Sequence, residues 1–225
     1  MSEADILRAH GRNYARLMGR FMKPASVLDV GAAAGFVLKG FIDSGWTGKG
    51  IEPNARMAGF ARTELGLNVD LAPLESYSGA ERFNLIVMIQ VVAHFFDVRR
   101  AFEAAAGLTR PNGFWLIETW DRKSWTARIL GKHWYEYSPP SVLRWFTPDD
   151  LKRLAKQFGF EEVARGHPVK RISGAHAKSL LQYKLSKHWL GSVTVRAMEI
   201  IPNRLVLPHP SEDLFWMLLQ KRGGA

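Results

Sequence analysis

Apolar residues in the first half of the chain fall into short runs separated by segments of helical spacing. Ser26 to Val30 reads as a buried strand and Ala34 to Asp43 as a helix. Gly48 to Glu52 is a second strand, a helix follows from about Asn54 to Leu65, and Val69 to Ala72 is a third strand. Phe83 to Ile89 (FNLIVMI) is apolar almost throughout, as a strand covered on both faces must be. Val98 to Leu108 has helical spacing, Pro111 to Gly113 (PNG) reads as a turn, and Phe114 to Thr119 as another strand. Strands alternating with helices in this way imply a parallel sheet with helices on both faces, an α/β doubly wound architecture.

After Trp120 the pattern changes. Asp121 to Phe146 is aromatic, basic and irregular, the composition of a long lid loop over a site. Order returns at FTPDDLKRLAKQFGF: Thr147 suits an N-cap, Pro148 the first helical position, Asp149 and Asp150 the positive helix end, and Gly159 the stop. Phe160 to Ala164 and Asp213 to Leu219 are the closing strands of a mostly parallel, seven-stranded sheet. Residues 1–225 then make a single domain. It has an N-terminal helical cap (1–24), a core (25–120), the lid (121–146) and a C-terminal part (147–225) with a basic helical insert at about 174–204.

Composition narrows the class. With 225 residues and 47% hydrophobic content the chain can bury a large core. No apolar run approaches the ~20 residues of a membrane-spanning helix, and the charge-threaded N-terminus does not read as a secretory signal. With no cysteine there is neither disulfide nor thiolate zinc site. A cytoplasmic location is the expectation. Residues 1–120 hold 13 basic and 12 acidic residues, whereas residues 121–225 hold 18 and 9. Val163 to Arg204 carries eight basic residues and one acid, Glu199. That asymmetry points to an anionic partner or to a solvated basic face.

The candidate chemistry begins at VLDVGAAAGFVLKGF, Val27 to Phe41, a strand running through a small-residue turn into a helix. The dinucleotide fingerprint G-x-G-x-x-G, counted from Gly31, meets Ala33 and Phe36 where glycines belong. No Gly-Lys-Ser/Thr follows, so the phosphate loop of ATP-binding folds fails too. The spacing acid-x-G-x-G-x-G instead reads Asp29, Gly31, Ala33, Gly35. In this the chain resembles the class I S-adenosylmethionine-dependent methyltransferases. GIEPNARMAGFAR (Gly50 to Arg62) matches that family's second strand, and the stretch from Phe83 to Thr119 its fourth strand, next helix, turn and fifth strand. Asn84 replaces a frequent aspartate, Asn112 the first glycine of a PGG turn, and Val92-Ala93-His94 a leucine-glutamate-histidine pattern. Gly131 to Leu151 resembles a bacterial branch that often modifies sugars or lipid-linked intermediates.

The resemblance implies S-adenosylmethionine as cofactor and S-adenosylhomocysteine as product. Asp29, Gly31, Ala32, Ala33, Gly35 and Phe36 would form the cradle, and Glu52 would grip the ribose hydroxyls with Pro53 beside it. A carboxylate suits a vicinal diol because it accepts two hydrogen bonds. Leu74 would line the adenine pocket, and Tyr14, with Arg12, would close an N-terminal helix over the cofactor carboxylate. Ligands lie beyond the carboxyl ends of strands in doubly wound sheets, which selects Gln90 to His94 and Glu118 to Asp121. His94 is the first candidate base, because an ordinary imidazole titrates near ~6.5, and the alternative is a histidine bonded to a loop carbonyl. His133, Tyr135 and Tyr137 in the lid could position or deprotonate an acceptor, or simply pack; Glu118 and Asp121 could bind a sugar hydroxyl, or cap. HWYEY lacks metal-ligand spacing, so no catalytic metal is expected.

Three readings of function follow. The first is methyl transfer to a small-molecule, sugar or lipid-linked acceptor, with Lys178 to Ile201 either touching an anionic membrane peripherally or packing on the domain. RNA methylation stands second, suggested by charge and aromatics but lacking a motif for a flipped base. A methyltransferase-like protein that has lost turnover, suggested by Ala33 and Ala93, stands third. Retention of Asp29, Gly31, Gly35 and Glu52 favours the enzyme.

Overall fold

The computed structural model describes residues 2–168, 170–173, 206–209 and 212–223. Five strands pair in parallel: β1 (Ser26–Val30), β2 (Thr47–Glu52), β3 (Val69–Leu71), β4 (Phe83–Ile89) and β5 (Thr109–Trp120). They are followed in the chain by β6 (Phe160–Gly166), by two strands that the pattern did not predict, β7 (Lys170–Ser173) and β8 (Val206–His209), and by β9 (Leu214–Lys221). β7 and β8 form their own antiparallel ladder. The other seven make one sheet in the order β3-β2-β1-β4-β5-β9-β6, with β9 inserted antiparallel between β5 and β6. The expected mostly parallel seven-stranded sheet is present. Strand order reverses between β1 and β4, and the crevice beyond their carboxyl ends is where such sheets bind ligands.

Alternation along the central strands feeds two cores. Leu28, Ile86, Trp115 and Ile117 belong to one, with Phe102 and Phe160; Val27, Leu85, Val87 and Leu116 belong to the other, with Leu38 and Phe41. Fully burying an apolar side chain of this size contributes roughly 1.5–3 kcal/mol. The helices are α1 (Glu3–Met18), α2 (Phe36–Ile42), α3 (Ala55–Thr63), α4 (Val98–Leu108), α5 (Trp125–Leu130) and α6 (Pro148–Lys156). The capping box predicted at the start of α6 is formed by Thr147 and Asp150, with Pro148 in the first turn.

α1 lies directly on α2. A Cβ on Gly11 would fall 2.2 Å from the Val37 carbonyl oxygen, and one on Gly40 2.4 Å from that of Arg8. The two glycines therefore let the backbones meet, and Asp43 at the end of α2 ties the pair through Arg8, Arg12 and Lys39. The N-terminal cap is held by backbone approach and ion pairs, not by apolar contact alone.

The structure corrects three expectations. Pro111 to Gly113 is not a free turn: β5 runs through it with a register irregularity opposite Phe83 to Leu85, and Asn112 takes a φ of 59°. Asparagine tolerates that left-handed backbone better than most residues, which explains its place where the family has glycine. The lid is not wholly irregular, because Ser124 caps α5 and Glu212 accepts from the backbone N–H groups of Trp125 and Thr126. α2 begins at Phe36, two residues later than predicted, because Gly35 holds a left-handed φ of 83° before it. The basic insert at about 174–204 lies outside the described residues. Among the described residues no helix is long and apolar enough to cross a membrane.

Candidate active site

The small-residue turn closes the crevice between β1 and β4. Gly31, Ala33 and Gly35 all have positive φ, at 67°, 47° and 83°. A Cβ on Gly31 would lie 2.7 Å from Val91 Cγ2, so the turn touches the segment that follows β4. Ala33 adopts the left-handed backbone at a cost of roughly 1–2 kcal/mol that glycine would avoid. The N–H groups of Gly31 and Ala32 donate to the Ile51 carbonyl at 2.9 and 3.0 Å, and that of Gly35 to Ala32 at 2.8 Å. Ala33 N–H donates to Glu52 Oε2 at 2.8 Å. The turn has spent these donors internally and does not offer the row of free N–H groups that a pyrophosphate uses.

Glu52, at the end of β2, is the staple. Its Oε1 accepts from Asn54 N–H at 2.8 Å while Oε2 holds Ala33. Each carboxylate oxygen retains a second acceptor site, so Glu52 can still receive two hydroxyls of a vicinal diol. Asp29 is different. It is buried, and its Oδ2 has no hydrogen-bond partner. Burial raises its carboxyl from 3.8 to about 7; the Leu38 backbone N–H pulls it down, and the Glu52 charge adds to the rise. A buried acceptor without a donor is costly. It is the feature of this crevice that asks for a ligand carrying an N–H or a cation.

A second carboxylate stands across β4. Glu118 on β5 is 0% exposed and receives three donors: His10 Nε2 at 2.9 Å, the Tyr14 hydroxyl, and Gln90 Nε2 at 2.8 Å. Burial pushes its carboxyl up, but the charge and hydrogen bond of His10 and the hydrogen bonds of Tyr14 and Gln90 outweigh this and hold it below the usual range. Tyr14 is driven the other way, by burial and by the Glu118 charge, so its phenol stays protonated. Gln90 takes a φ of 57° to make the contact, and its backbone N–H also donates to the Glu118 carbonyl at 2.8 Å. Strained backbone of this kind, worth roughly 1–3 kcal/mol, gathers at functional sites. His10 was not among the sequence-predicted residues. The signal was present: His10 and Tyr14 are four apart, on one face of the N-terminal helix.

The remaining predicted residues are dispersed. Phe36 packs edge-on to Phe60, and Pro53 is exposed beside Asn54. Leu74 is 2% exposed and packs within the main core. Arg12 pairs with Asp43 and does not reach over the crevice. His94 is exposed, its Nδ1 lies 2.6 Å from the Ser141 carbonyl, and the loop-carbonyl alternative describes it. The Tyr135 hydroxyl donates to Asp213 at 2.8 Å, and burial together with that partner pushes the phenol well above its ordinary value, so it stays protonated. Tyr137 stacks on Trp145 with ring centroids 4.9 Å apart, and His133 sits exposed in a short turn. Asp121 caps its own turn by accepting from Lys123 N–H at 2.8 Å.

Beside the Glu118 cluster lies a cavity of about 320 Å³ between α1, Trp216 of β9, and His167 with Pro168 beyond β6; His10 and Tyr14 line its inner wall. That volume is at the small end of ligand sites, which run from roughly 300 to 1,000 Å³.

The chain is similar to known proteins in sequence and in fold. The Azorhizobium caulinodans ubiquinone biosynthesis O-methyltransferase is 28% identical over 169 residues, 70% of this chain and 66% of that protein, so the chain spans just under two thirds of its length. The fold is that of a SAM-dependent methyltransferase from Thermotoga maritima (TM-score 0.64, 18% identity, 97% of this chain and 91% of that one). It is also that of the magnesium protoporphyrin IX methyltransferase of Synechocystis, solved with bound SAH (TM-score 0.63, 10% identity, 95% and 83%). A family model described as a methyltransferase domain matches residues 3–165, more than half of the chain, and the chain belongs to that methyltransferase family.

Proposed function

We propose that the chain transfers a methyl group from S-adenosylmethionine to a hydroxyl of a small-molecule acceptor. The observation that carries this reading is the pair of carboxylates at the switch point: Glu52, with acceptor sites left for a diol, and Asp29, with an orphaned oxygen beside the glycine turn. Both fit the group. Glu52 would hold the ribose hydroxyls, Asp29 would meet the cationic amino end directly or through water, and Gly31, Ala32, Ala33 and Gly35 would shape the floor. When bound, the cofactor supplies an activated methyl on a sulfonium, and little is left for the protein beyond approach, alignment and exclusion of water.

Oxygen as the accepting atom is supported by the relatives, which are named as O-methyltransferases. The sugar and lipid-linked versions of the acceptor stay within this proposal, and no observation favours RNA or loss of turnover. Incubation with methyl-labelled S-adenosylmethionine and a panel of phenols, sugars and polyprenylated alcohols tests it. Label in at least one hydroxyl acceptor is the expected result. Label only in amines contradicts the oxygen assignment, and cofactor binding with no transfer to any acceptor class moves the non-enzymatic reading ahead.

A further inference from the structure

We infer that His10 takes the proton from the acceptor hydroxyl, and that Glu118 is the residue that positions it; this rests on the methyltransferase reading above. The inference begins with hydrogen-bond bookkeeping. An ionised carboxylate only accepts, and Glu118 is held ionised by the three donors around it. His10 must therefore carry a proton on Nε2, the nitrogen 2.9 Å from Glu118 Oε2. When the ring is neutral its lone pair sits on Nδ1, and when it is protonated its charge is the one that helps hold Glu118 ionised. Among the described residues Nδ1 has no hydrogen bond, and the side chain, 18% exposed, lines the α1–β9 cavity.

Position favours the same assignment. Gln90 follows β4 at the switch point, next to the Val91 that touches Gly31. Glu118 binds Gln90 on one oxygen and His10 on the other, so one buried carboxylate spans from the cofactor crevice to the cavity. Among the described residues, His10 is the one imidazole lining the cavity with a carboxylate behind it. Tyr14, whose ring meets that of His10 edge-on at 4.7 Å, is kept protonated; Arg16 is a cation; His167 across the cavity donates Nδ1–H to the Leu214 carbonyl at 2.8 Å, which leaves its Nε2 basic but puts a neutral carbonyl, not a carboxylate, behind the ring. His94 has no carboxylate behind it and is exposed. A carboxylate behind the ring stabilises the imidazolium formed on proton transfer, as in other histidine–carboxylate pairs.

The balance is simple. The acceptor O–H bond breaks as Nδ1–H forms, and the oxygen's electron pair makes the new C–O bond. The C–S pair of the sulfonium donor returns to sulfur, and the proton rests on His10 opposite Glu118 until water in the cavity removes it. The cavity's walls are mixed: Trp216, Leu17 and Pro168 offer an apolar side, and Asn13, Arg16 and His167 a polar one, which suits a small acceptor bearing the hydroxyl and further polar groups.

Three readouts on the cofactor-free chain and its S-adenosylhomocysteine complex test this. Long-range ¹H–¹⁵N spectra of histidine-labelled protein, assigned with His10→Gln, should show His10 protonated on Nε2 with a bare Nδ1. Diethylpyrocarbonate should acylate His10 in the wild type and do so several-fold more slowly in Glu118→Gln. His10→Gln should bind S-adenosylhomocysteine within about threefold of the wild type. A proton on Nδ1, or equal acylation in the two proteins, overturns the proposal. A tenfold or greater loss of S-adenosylhomocysteine affinity in His10→Gln also overturns it, by making His10 a cofactor clamp. Absence of S-adenosylhomocysteine binding to the wild type would instead sink the methyltransferase reading, visibly and separately from the spectra.

Discussion

Asp29 and Glu118 occupy β1 and β5, on either side of β4, and both are buried, yet they carry charge differently. Asp29 has an oxygen with no donor and a carboxyl raised to about 7; Glu118 has three side-chain donors and a carboxyl held below its usual range. Burial alone does not set the protonation state of a carboxylate; the donors that surround it do. One acid is a buried acceptor left without a donor, the other a fixed negative charge around which α1, β4 and β5 are organised.

The largest effect comes from breaking the satisfied side. Glu118→Leu strands the buried Tyr14 hydroxyl and removes the partner of the half-buried His10 and Gln90, and should cost roughly 2–4 kcal/mol in urea unfolding. Asp29→Asn should act in the opposite direction. A carboxyl whose folded value lies above its unfolded one binds more protons when folded, so it lowers stability as pH rises from about 4 to about 7. The Asn variant should therefore gain on the wild type across that window and level off above it, by on the order of 2–4 kcal/mol. Glu118, with a lowered value, contributes stability that is present above about 4.5 and lost as pH falls through its folded value. Tyr14→Phe removes one charged-group hydrogen bond, about 1.5–3 kcal/mol, and should move that acid limb upward in pH unfolding. Ala33→Gly relieves a left-handed alanine but loosens the unfolded chain, and a gain of about 0.5–1 kcal/mol in thermal melts is the net expectation.

The same contrast shows what a sequence can carry. The glycine turn, the strand ends and α6 were legible because they are local: small residues at fixed spacing, alternation, a capping box. Glu52 was legible as the residue that ends the second strand. The Glu118 cluster joins residues 108 and 104 positions apart, and nothing in the periodicity of α1 says which strand its face will meet. His94 drew attention by following a strand, yet a loop carbonyl from Ser141, 47 residues on, takes its nitrogen. The lid aromatics were visible as aromatics, but that Asp213 would gather both Trp134 and Tyr135 depended on the return of β9. Local chemistry was readable; long-range pairing was not.

The central claim is that the crevice between β1 and β4 takes S-adenosylmethionine through Asp29 and Glu52. Calorimetric titration of the purified, ligand-free chain with S-adenosylmethionine and S-adenosylhomocysteine tests it most directly, with NAD as control and Glu52→Gln beside the wild type. The account predicts saturable one-to-one binding of both ligands, weakened about tenfold or more in Glu52→Gln, and none with NAD. Folded protein giving no heat with either ligand, or equal affinity in the variant, would contradict it.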